Sequence, residues 1–250
     1  QNLSHTMMYN KLKKFAVQLK KHLPNIKLYL VGGSVRDSLL HGDDFTFSHP
    51  SIKDLDIEMY NVQPDAFVKT LDKMGVKYDL VGQSFGVYKV FVDGETFDFT
   101  FPRREVKSGV GYKGFTIEID PFMSLEDAVK RRDLTINALM WNILEEKLID
   151  LVWGVQDIHA GDLRIVSDKF DEDPLRVLRV FQFASRFGFT ASIGLQDRCY
   201  SLLKEKESLV KERVWGEWEK WCTKSVKPSF GIEFLNQCLW LEDEVGDLIG

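Results

Sequence analysis

IKLYLVGGSVRD at residues 26–37 combines an apolar run, a glycine pair and the start of a polar segment. The apolar run predicts a strand, and Gly32-Gly33-Ser34 predicts a tight turn that leads into a helix. At such a junction the first backbone N–H groups of the helix point outward and can bind a phosphate. The stretch therefore predicts a phosphate-binding turn, although Gly-Gly-Ser on its own is usually only a turn.

Asp54-Leu55-Asp56 follows about twenty residues later and predicts a second strand. Because side chains alternate along a strand, Asp54 and Asp56 share one face while Leu55 points into the core. Two carboxylates held this close repel each other unless a cation lies between them. A phosphate-binding turn beside a divalent-metal site is typical of phosphoryl or nucleotidyl transfer. Asp-x-Asp alone is often a solvated strand face, so the interpretation depends on the order and spacing of both patterns.

The composition is that of a folded globular protein, since 44% of the 250 residues are hydrophobic and 12% are aromatic. The net charge of −5 gives no chain-wide basic field, so any contact with nucleic acid has to come from local groups of Lys and Arg. Such groups lie at residues 11–21, 103–113, 130–132 and 204–213.

The cysteines Cys199, Cys222 and Cys238 are odd in number and widely spaced, which excludes a disulfide framework or a zinc site and favours a reducing cytoplasm. No apolar run reaches the roughly eighteen residues needed to span a membrane, and no signal-peptide pattern opens the chain. Residues 1–6, ahead of Met7-Met8, resemble the remnant of an expression tag and are left out of the predicted domains.

Hydrophobic spacing predicts the secondary structure of the first part of the chain. A lysine-rich amphipathic helix ends at Pro24, and Asp93-Gly94 joins two strands as a two-residue hairpin. In the last of these strands Asp98 alternates with phenylalanines, so it lies on the polar face, either solvated or as a third catalytic carboxylate. The predicted elements are strand 26–31, helix 34–41, strand 54–59, a helix from Pro64 to Gly75, and strands 76–81, 86–92 and 95–101.

Residues 102–123 show no sustained period and are predicted to form a long loop, of which 103–123 acts as a mobile lid. Ser124 begins a predicted helix that continues to about Trp141 and contains Arg131-Arg132-Asp133. On that helix one arginine can reach a triphosphate, and Asp133 can accept hydrogen bonds from ribose hydroxyls. A salt-bridged surface helix is the alternative interpretation.

The pattern beyond about residue 168 is helical, with predicted helices at 171–188, 192–204, 207–225 and 228–240. The sequence therefore predicts an α+β head, residues 7–166, followed by an all-α region, residues 167–250.

Asp173 and Arg176 open the first of these helices. One turn apart on one helix face, a carboxylate acceptor and a guanidinium donor fork resemble the edge of a base, so the pair is predicted to read a nucleobase. The alternative is that acids at a helix start complement the helix dipole, which explains Glu172 and Asp173 but not Arg176 and Arg179.

These ordered motifs resemble those of the class II tRNA nucleotidyltransferases, the CCA-adding enzymes and bacterial poly(A) polymerases of the polymerase-β nucleotidyltransferase superfamily. The resemblance implies an α+β fold: a nucleotidyltransferase head with a mixed β-sheet and flanking helices, followed by an all-α neck and partial body. The matching stretches lie within roughly residues 26–241 and are Val31 to Asp37 with Asp54 to Asp56, Arg131 to Ala138, Asp150 to Gly154, Glu172 to Arg176, and Glu212-Arg213 with Glu217-Trp218.

The resemblance also implies a role for each site residue. Asp54 and Asp56 would hold two Mg²⁺ ions, and the Asp150 to Gly154 turn would be a hinge, although it lacks the proline and second glycine common there. The implied nucleotide-binding residues are Gly32, Gly33, Ser34 and Arg36 at the triphosphate, Arg132 and Asp133 at the sugar, Asn137 in the same motif, and Asp173 and Arg176 at the base with Arg179 supporting them.

The sequence thus predicts an enzyme that adds C and/or A nucleotides from CTP and ATP to the 3′ end of tRNA, with Mg²⁺ as cofactor. Poly(A) addition, addition of only C or only the terminal A, transfer to a small molecule, and a non-catalytic nucleotide- or RNA-binding module are the alternatives. Family enzymes that add A carry a loop at the position of 103–123, so this lid is expected to matter more for A than for C. Family members usually continue beyond the position of Gly250, so a truncated chain or a partner that grips the tRNA is expected.

Overall fold

The computed structural model describes residues 3–82, 86–107 and 115–241. Within them the chain forms two compact units. The first contains the described residues up to Val129 together with Asn137–Leu151, and the second contains Lys130–Ile136 and the described residues from Val152 onward. No described helix combines the length and the apolar character that crossing a membrane requires.

The first unit is built on a seven-stranded sheet with the strand order β3-β4-β5-β2-β1-β8-β9. Strands β2 and β5 are parallel and the other neighbours are antiparallel, so the predicted mixed sheet is confirmed. Its elements are α1 (Leu3–His22), β1 (Lys27–Val31), α2 (Gly33–Leu40), β2 (Asp56–Tyr60), α3 (Pro64–Met74), β3 (Tyr78–Val81), β4 (Val87–Val92), β5 (Glu95–Thr100), β6 (Arg103–Lys107), β7 (Phe115–Ile119), α4 (Leu125–Lys130), β8 (Met140–Asn142) and β9 (Lys147–Ile149).

One face of this sheet carries the core of the unit. Phe99 of β5 packs edge-on against Phe15 of α1, with ring centroids 5.8 Å apart, and stacks on Phe67 of α3 at 5.7 Å. Because side chains alternate along a strand, the residues next to the buried ones project from the opposite face. The helices α1 and α3 therefore cover one face, and the polar residues of β2 and β5 lie on the other.

Local turn chemistry accounts for several boundaries that were predicted from the sequence. Pro64 occupies the first turn of α3, and Gly75 ends that helix in the left-handed conformation, with φ 69°. Asp93 and Gly94 both have positive φ, 49° and 81°, as expected for a two-residue hairpin turn between β4 and β5. The predicted helix ending at Pro24 is confirmed as well, since α1 ends at His22.

The prediction of a long loop over 102–123 is wrong for residues 103–107 and 115–119, which form two strands. β6 and β7 pair as an antiparallel two-stranded sheet, with Arg103 opposite Ile119 and Lys107 opposite Phe115. Residues 108–114, the centre of the predicted lid, lie outside the described residues. β6 shows no alternation, and Ile117 of β7, where apolar and polar residues do alternate, is 38% exposed. The two strands are therefore held by the ladder of backbone hydrogen bonds rather than by a buried face.

The predicted helix from Ser124 to Trp141 is also wrong beyond Lys130, where α4 ends. The Leu134 N–H donates to Asp133 Oδ1 at 2.6 Å instead of to a helical carbonyl, and Leu134 forms an isolated bridge with Ile165. The apolar residues that follow form β8 beside β1. A short apolar run fits a helix and a buried strand equally well, which explains the error.

The second unit is mainly helical, with α6 packed on α8 and α9. Phe181 of α6 contacts Trp218 of α8, with ring centroids 4.7 Å apart. Gly231 of α9 lies where a Cβ would come within 2.4 Å of the Phe181 carbonyl oxygen, so this helix crossing accepts only glycine. The elements are α5 (Gly154–Ala160), β10 (Asp162–Leu163), α6 (Arg176–Phe187), β11 (Thr190–Ala191), α7 (Ile193–Ser201), α8 (Lys211–Lys224) and α9 (Pro228–Gln237).

The contact units divide the chain differently from the predicted boundary near Val166. The Thr135 N–H donates to the Arg164 carbonyl at 2.9 Å, and the Val166 N–H donates to the Asp133 carbonyl at 3.3 Å. These backbone bonds attach Lys130–Ile136 to the residues that follow Val152. The domains 7–166 and 167–250 stay a prediction.

Candidate functional site

The predicted phosphate-binding turn joins β1 to α2. Gly32 has φ 77° and ψ −143°, a conformation that is essentially restricted to glycine. Gly33 begins α2, and a Cβ there would lie 3.0 Å from Nη2 of Arg36. Both glycines are thus explained by geometry: the first by its backbone angles and the second by the close approach of a guanidinium.

Arg36 is buried beside this turn, with 4% of its surface exposed. Its Nε donates to Oδ1 of Asp37 at 3.0 Å, and its Nη1 donates to Oδ1 of Asn137 at 2.6 Å. The structure therefore brings together two residues that were predicted to bind nucleotide, although they lie 101 positions apart in the chain. This geometry supports a role in holding the turn, and direct nucleotide contact by Arg36 and Asn137 stays a prediction.

Ser34, also predicted to bind the triphosphate, lies in the first turn of α2. Its hydroxyl oxygen is buried and has no hydrogen-bond partner among the described residues. A buried hydroxyl without a partner is unusual, because leaving it unpaired costs on the order of 1–3 kcal/mol.

The two central carboxylates lie at the start of β2. Asp54 precedes the strand, Asp56 is its first residue, and both are exposed, whereas Leu55 between them is 2% exposed. The predicted alternation is confirmed, and the predicted strand 54–59 begins later, at Asp56. Two exposed carboxylates that flank a single buried residue supply the oxygen ligands that Mg²⁺ prefers, so these residues fit that ion.

Asp98 of β5 lies directly beside Asp56 in the parallel register. It is half-buried, and its Oδ1 accepts a hydrogen bond from Nζ of Lys89 at 3.1 Å. Within residues 3–82, 86–107 and 115–241, no group of three or more His, Cys, Asp or Glu side chains is arranged to hold a metal ion. The structure places Asp98 on the predicted face, and its role as a third catalytic carboxylate stays a prediction.

Sequence reasoning missed Asp43, which organises the loop between α2 and the carboxylates. Its carboxylate accepts hydrogen bonds from the Ser38 hydroxyl, the Thr46 hydroxyl, and the N–H groups of Phe47 and Ser48. Burial raises the pKa of Asp43, but the hydrogen bonds outweigh burial and hold it below its usual value. The signal in the sequence is an Asp followed at short spacing by Thr and Ser, which is typical of a side-chain-capped loop.

We expect Asp43→Asn to lower the free energy of unfolding by about 2 kcal/mol, because an amide replaces one acceptor oxygen with a donor facing N–H groups. A lowered pKa means that the stabilisation is complete above pH 3.8 and is lost as the pH falls through the lower folded-state value. Urea unfolding of both proteins between pH 3 and 7 tests this. If the free energies of unfolding of wild type and variant fell by the same amount as the pH is lowered, this prediction would be contradicted.

Asp133 of the second unit is buried, and its Oδ2 accepts a hydrogen bond from Nε of Arg179 at 2.6 Å. Burial lowers the pKa of Arg179, but the charge of Asp133 and this hydrogen bond raise it above its usual value overall. Arg179, predicted to support Asp173 and Arg176, is thus bound to the residue predicted at the sugar. Arg132 lies in the turn after α4 rather than on a helix, and it is half-buried.

The predicted base-reading pair is placed differently from the expected helix face. α6 begins at Arg176, and Asp173 has an extended backbone with φ −130°. Pro174 explains this, because a residue before proline is disfavoured in the helical conformation. The prediction that both residues lie one turn apart on a single helix is therefore wrong.

Both members of the pair are held by groups of the second unit. Arg176 donates through Nη1 to the Lys169 carbonyl and through Nη2 to the Arg131 carbonyl, each at 2.6 Å. Burial lowers its pKa despite the neighbouring carboxylates. Asp173 accepts a hydrogen bond from Nη2 of Arg213 at 2.8 Å, a partner to which sequence reasoning assigned no role.

The turn at Asp150 to Gly154, predicted to be a hinge, contains an unusual conformation. Trp153 has φ 66°, in the left-handed region that glycine favours, and its carbonyl accepts from the Asp157 N–H at 3.1 Å. Asp157 is buried and also accepts from Nε of Arg164 at 3.0 Å. This network fixes the start of α5, and hinge motion stays a prediction.

Residues 28–164 match the family described as the Poly A polymerase head domain. The chain is 38% identical over 222 residues to the multifunctional CCA protein of Methylobacillus flagellatus, covering 85% of this chain and 48% of that protein. It is 40% identical over 219 residues to the multifunctional CCA protein of Aliivibrio salmonicida, covering 85% of this chain and 49% of that protein. The chain thus spans about half the length of these curated relatives.

A solved structure of the Bacillus stearothermophilus CCA-adding enzyme in complex with CTP has the same fold. It is 28% identical, with a TM-score of 0.64, and the match covers 85% of this chain and 48% of that chain. These similarities confirm the resemblance inferred from the ordered motifs. Because the family match spans more than half of its length, the chain belongs to the Poly A polymerase head domain family.

Proposed function

We propose that this protein adds C and/or A nucleotides from CTP and ATP to the 3′ end of tRNA. The observation that carries the proposal is the position of the carboxylates relative to the glycine turn. Asp56 pairs in register with Val31, the residue immediately before Gly32. The first residue of β2 therefore lies beside the end of β1, directly before the turn whose backbone N–H groups can bind a phosphate, as nucleotidyl transfer requires.

The relatives support the substrate class. Two are named multifunctional CCA proteins, and the solved CCA-adding enzyme binds CTP. This chain spans about half of their length. That tRNA and CTP are its substrates is therefore part of the proposal.

In the proposed mechanism Asp54 and Asp56 would hold Mg²⁺, and the bound ion would supply activation of the 3′ hydroxyl and charge stabilisation for the pyrophosphate leaving group. The N–H groups that follow Gly32 bind the triphosphate, and the buried Ser34 hydroxyl gains in a phosphate oxygen the partner it lacks among the described residues. Arg36, fixed by Asp37 and Asn137, keeps the turn in place. Asp98 supports the carboxylate face from the adjacent strand.

Arg132, Asp133, Asp173 and Arg176 are the proposed nucleotide-recognition residues of the second unit. Arg176 has five N–H donors in a rigid fork, more than the two bonds that hold it to backbone carbonyls require. Its guanidinium can therefore present a fixed donor edge to a base. The hydrogen bond from Nε of Arg179 orients Asp133 for its proposed role at the sugar.

The proposal is tested with tRNAs that end before CCA, after C and after CC, each offered one NTP at a time with Mg²⁺. We expect CTP to extend the first two and ATP to extend the third. Long A tails would favour a poly(A) polymerase, and incorporation of only CTP or only ATP would indicate a partial adding enzyme. Failure to incorporate any NTP into RNA, with nucleotide binding retained, would favour a non-catalytic module.

We expect Arg176→Ala to lower the preference for CTP and ATP over UTP and GTP by about tenfold, because a bidentate pair contributes roughly 1–3 kcal/mol of base discrimination. Relative incorporation of the four NTPs into the same tRNA measures this. Arg186→Ala, which removes the same charge from the same helix, is the control and should keep the wild-type preference. Equal selectivity of the two variants would leave Arg176 a purely structural residue.

A further inference from the structure

Four charged residues form a row across four neighbouring strands of the sheet. Asp79 of β3 pairs with Lys89 of β4, which pairs with Asp98 of β5, which pairs with Asp56 of β2. Residues paired in register project from the same face of a sheet. A lysine thus lies within the row of carboxylates that contains a proposed metal ligand.

Lys89 contacts the row directly through its ammonium group. Its Nζ lies 3.1 Å from Oδ1 of Asp98, and the two side chains are 41% and 34% exposed. An ion pair this exposed adds little to stability, with a typical contribution of about 0–1 kcal/mol. Lysine is also disfavoured in strands, so neither stability nor strand propensity explains this residue.

Building on the proposed function, we propose that Lys89 is a positioning residue that competes with the divalent cation for Asp98. The ammonium group of Lys89 donates a hydrogen bond to the carboxylate of Asp98. Without that partner, the carboxylate would be attracted to a hard cation bound near Asp56. Its positive charge also opposes the arrival of a second cation on the same face. Lys89 therefore lowers the affinity of the carboxylate face for a bare metal ion.

The consequence is a preference for metal that arrives with a nucleotide. A triphosphate brings several negative charges, which offset the repulsion by Lys89 and offer its ammonium an alternative partner. Bare Mg²⁺ or Mn²⁺ is held weakly, and the nucleotide complex is held well. Lys89 thus couples metal binding to substrate binding without touching the reacting atoms.

The test is a titration of the full chain with MnCl₂ without nucleotide, following free Mn²⁺ by electron paramagnetic resonance at low ionic strength. We expect Lys89→Met to bind Mn²⁺ about tenfold more tightly than wild type, because a positive charge near the cation is removed. Lys89→Arg keeps the charge and should stay close to wild type. Lys69→Met removes an exposed lysine from α3 and is the control for net charge.

A second comparison shows whether Lys89 acts through Asp98. In an Asp98→Asn background, Lys89→Met should change Mn²⁺ affinity by less than half as much, on a logarithmic scale, as in wild type. An undiminished effect would overturn competition for Asp98, and so would equal affinities of Lys89→Met and Lys69→Met.

Asp56→Ala separates failure of this inference from failure of the proposed function. If it removes Mn²⁺ binding while the Lys89 variants do not differ, only the inference falls. If neither wild type nor Lys89→Met shows Mn²⁺ binding that Asp56→Ala removes, the assignment of metal ligands falls with the inference.

Discussion

Asp56→Ala, and separately Asp54→Ala, is expected to lower nucleotide incorporation at least about 10³-fold, because losing a metal ligand removes several kcal/mol of transition-state stabilisation. The fold should be retained. Asp54 and Asp56 are exposed, whereas Leu55 between them is buried and holds this segment in the core. Removing one of two neighbouring like charges does not destabilise a domain.

The measurement is single-turnover incorporation of CTP into tRNA lacking CCA, with circular dichroism and thermal unfolding to verify the fold. Asp79→Ala is the matched control, because it removes an exposed carboxylate from the same row of the sheet, two strands farther from Asp56 than Asp98 is. EDTA should abolish wild-type activity, and added Mg²⁺ should restore it. Either Asp variant with near-normal turnover in Mg²⁺ would exclude that residue as a ligand.

The carboxylate site could be predicted because its sequence signals lie in adjacent residues and do not depend on distant parts of the chain. Alternation of Asp54, Leu55 and Asp56 follows from the two-residue period of a strand, and a glycine pair marks the turn wherever the chain folds. The same holds for Asp93-Gly94, whose positive φ angles are a property of two adjacent residues.

The surroundings of the recognition residues could not be predicted in this way. Asp133 and Arg179 are 46 positions apart, and Asp173 and Arg213 are 40 apart, so no short-range period connects them. The predicted helix 171–188 begins too early: acids followed by helical spacing are typical of a helix start, but Pro174 disfavours the helical conformation at Asp173, and α6 begins at Arg176.

The error over residues 131–141 has a different cause. Helical and strand periods cannot be separated over a short apolar run. Residues 140–142 form a strand because they pair with β1, which is far away in sequence. The consequence for the site is direct. Asp133 and Asn137 were predicted to lie on the same helix, but neither lies on an α-helix. Asn137 accepts a hydrogen bond from Arg36, and Asp133 accepts one from Arg179.

Arg36→Met should lower the free energy of unfolding by about 3–5 kcal/mol, the largest stability effect expected at the site. Arg36 and Asp37 are 4% and 5% exposed, so removing the guanidinium leaves a buried carboxylate without its arginine. Asn137 also loses the donor to its Oδ1. Methionine keeps most of the volume, which separates the loss of charge from the creation of a cavity.

Urea unfolding, with hydrogen exchange of the β1 amides to assign the transition to the first unit, measures this effect. Arg104→Met is the matched control: Arg104 pairs with Glu118 at 3.4 Å, but these side chains are 56% and 52% exposed, so a loss below about 1 kcal/mol is expected. Adding Asp37→Asn to Arg36→Met should recover part of the loss, because the double variant no longer buries the carboxylate charge that Arg36 offsets. If Arg36→Met were as stable as Arg104→Met, the buried pair would not hold the turn. Arg36 would then be available to the triphosphate, and the positioning role assigned to it would be wrong.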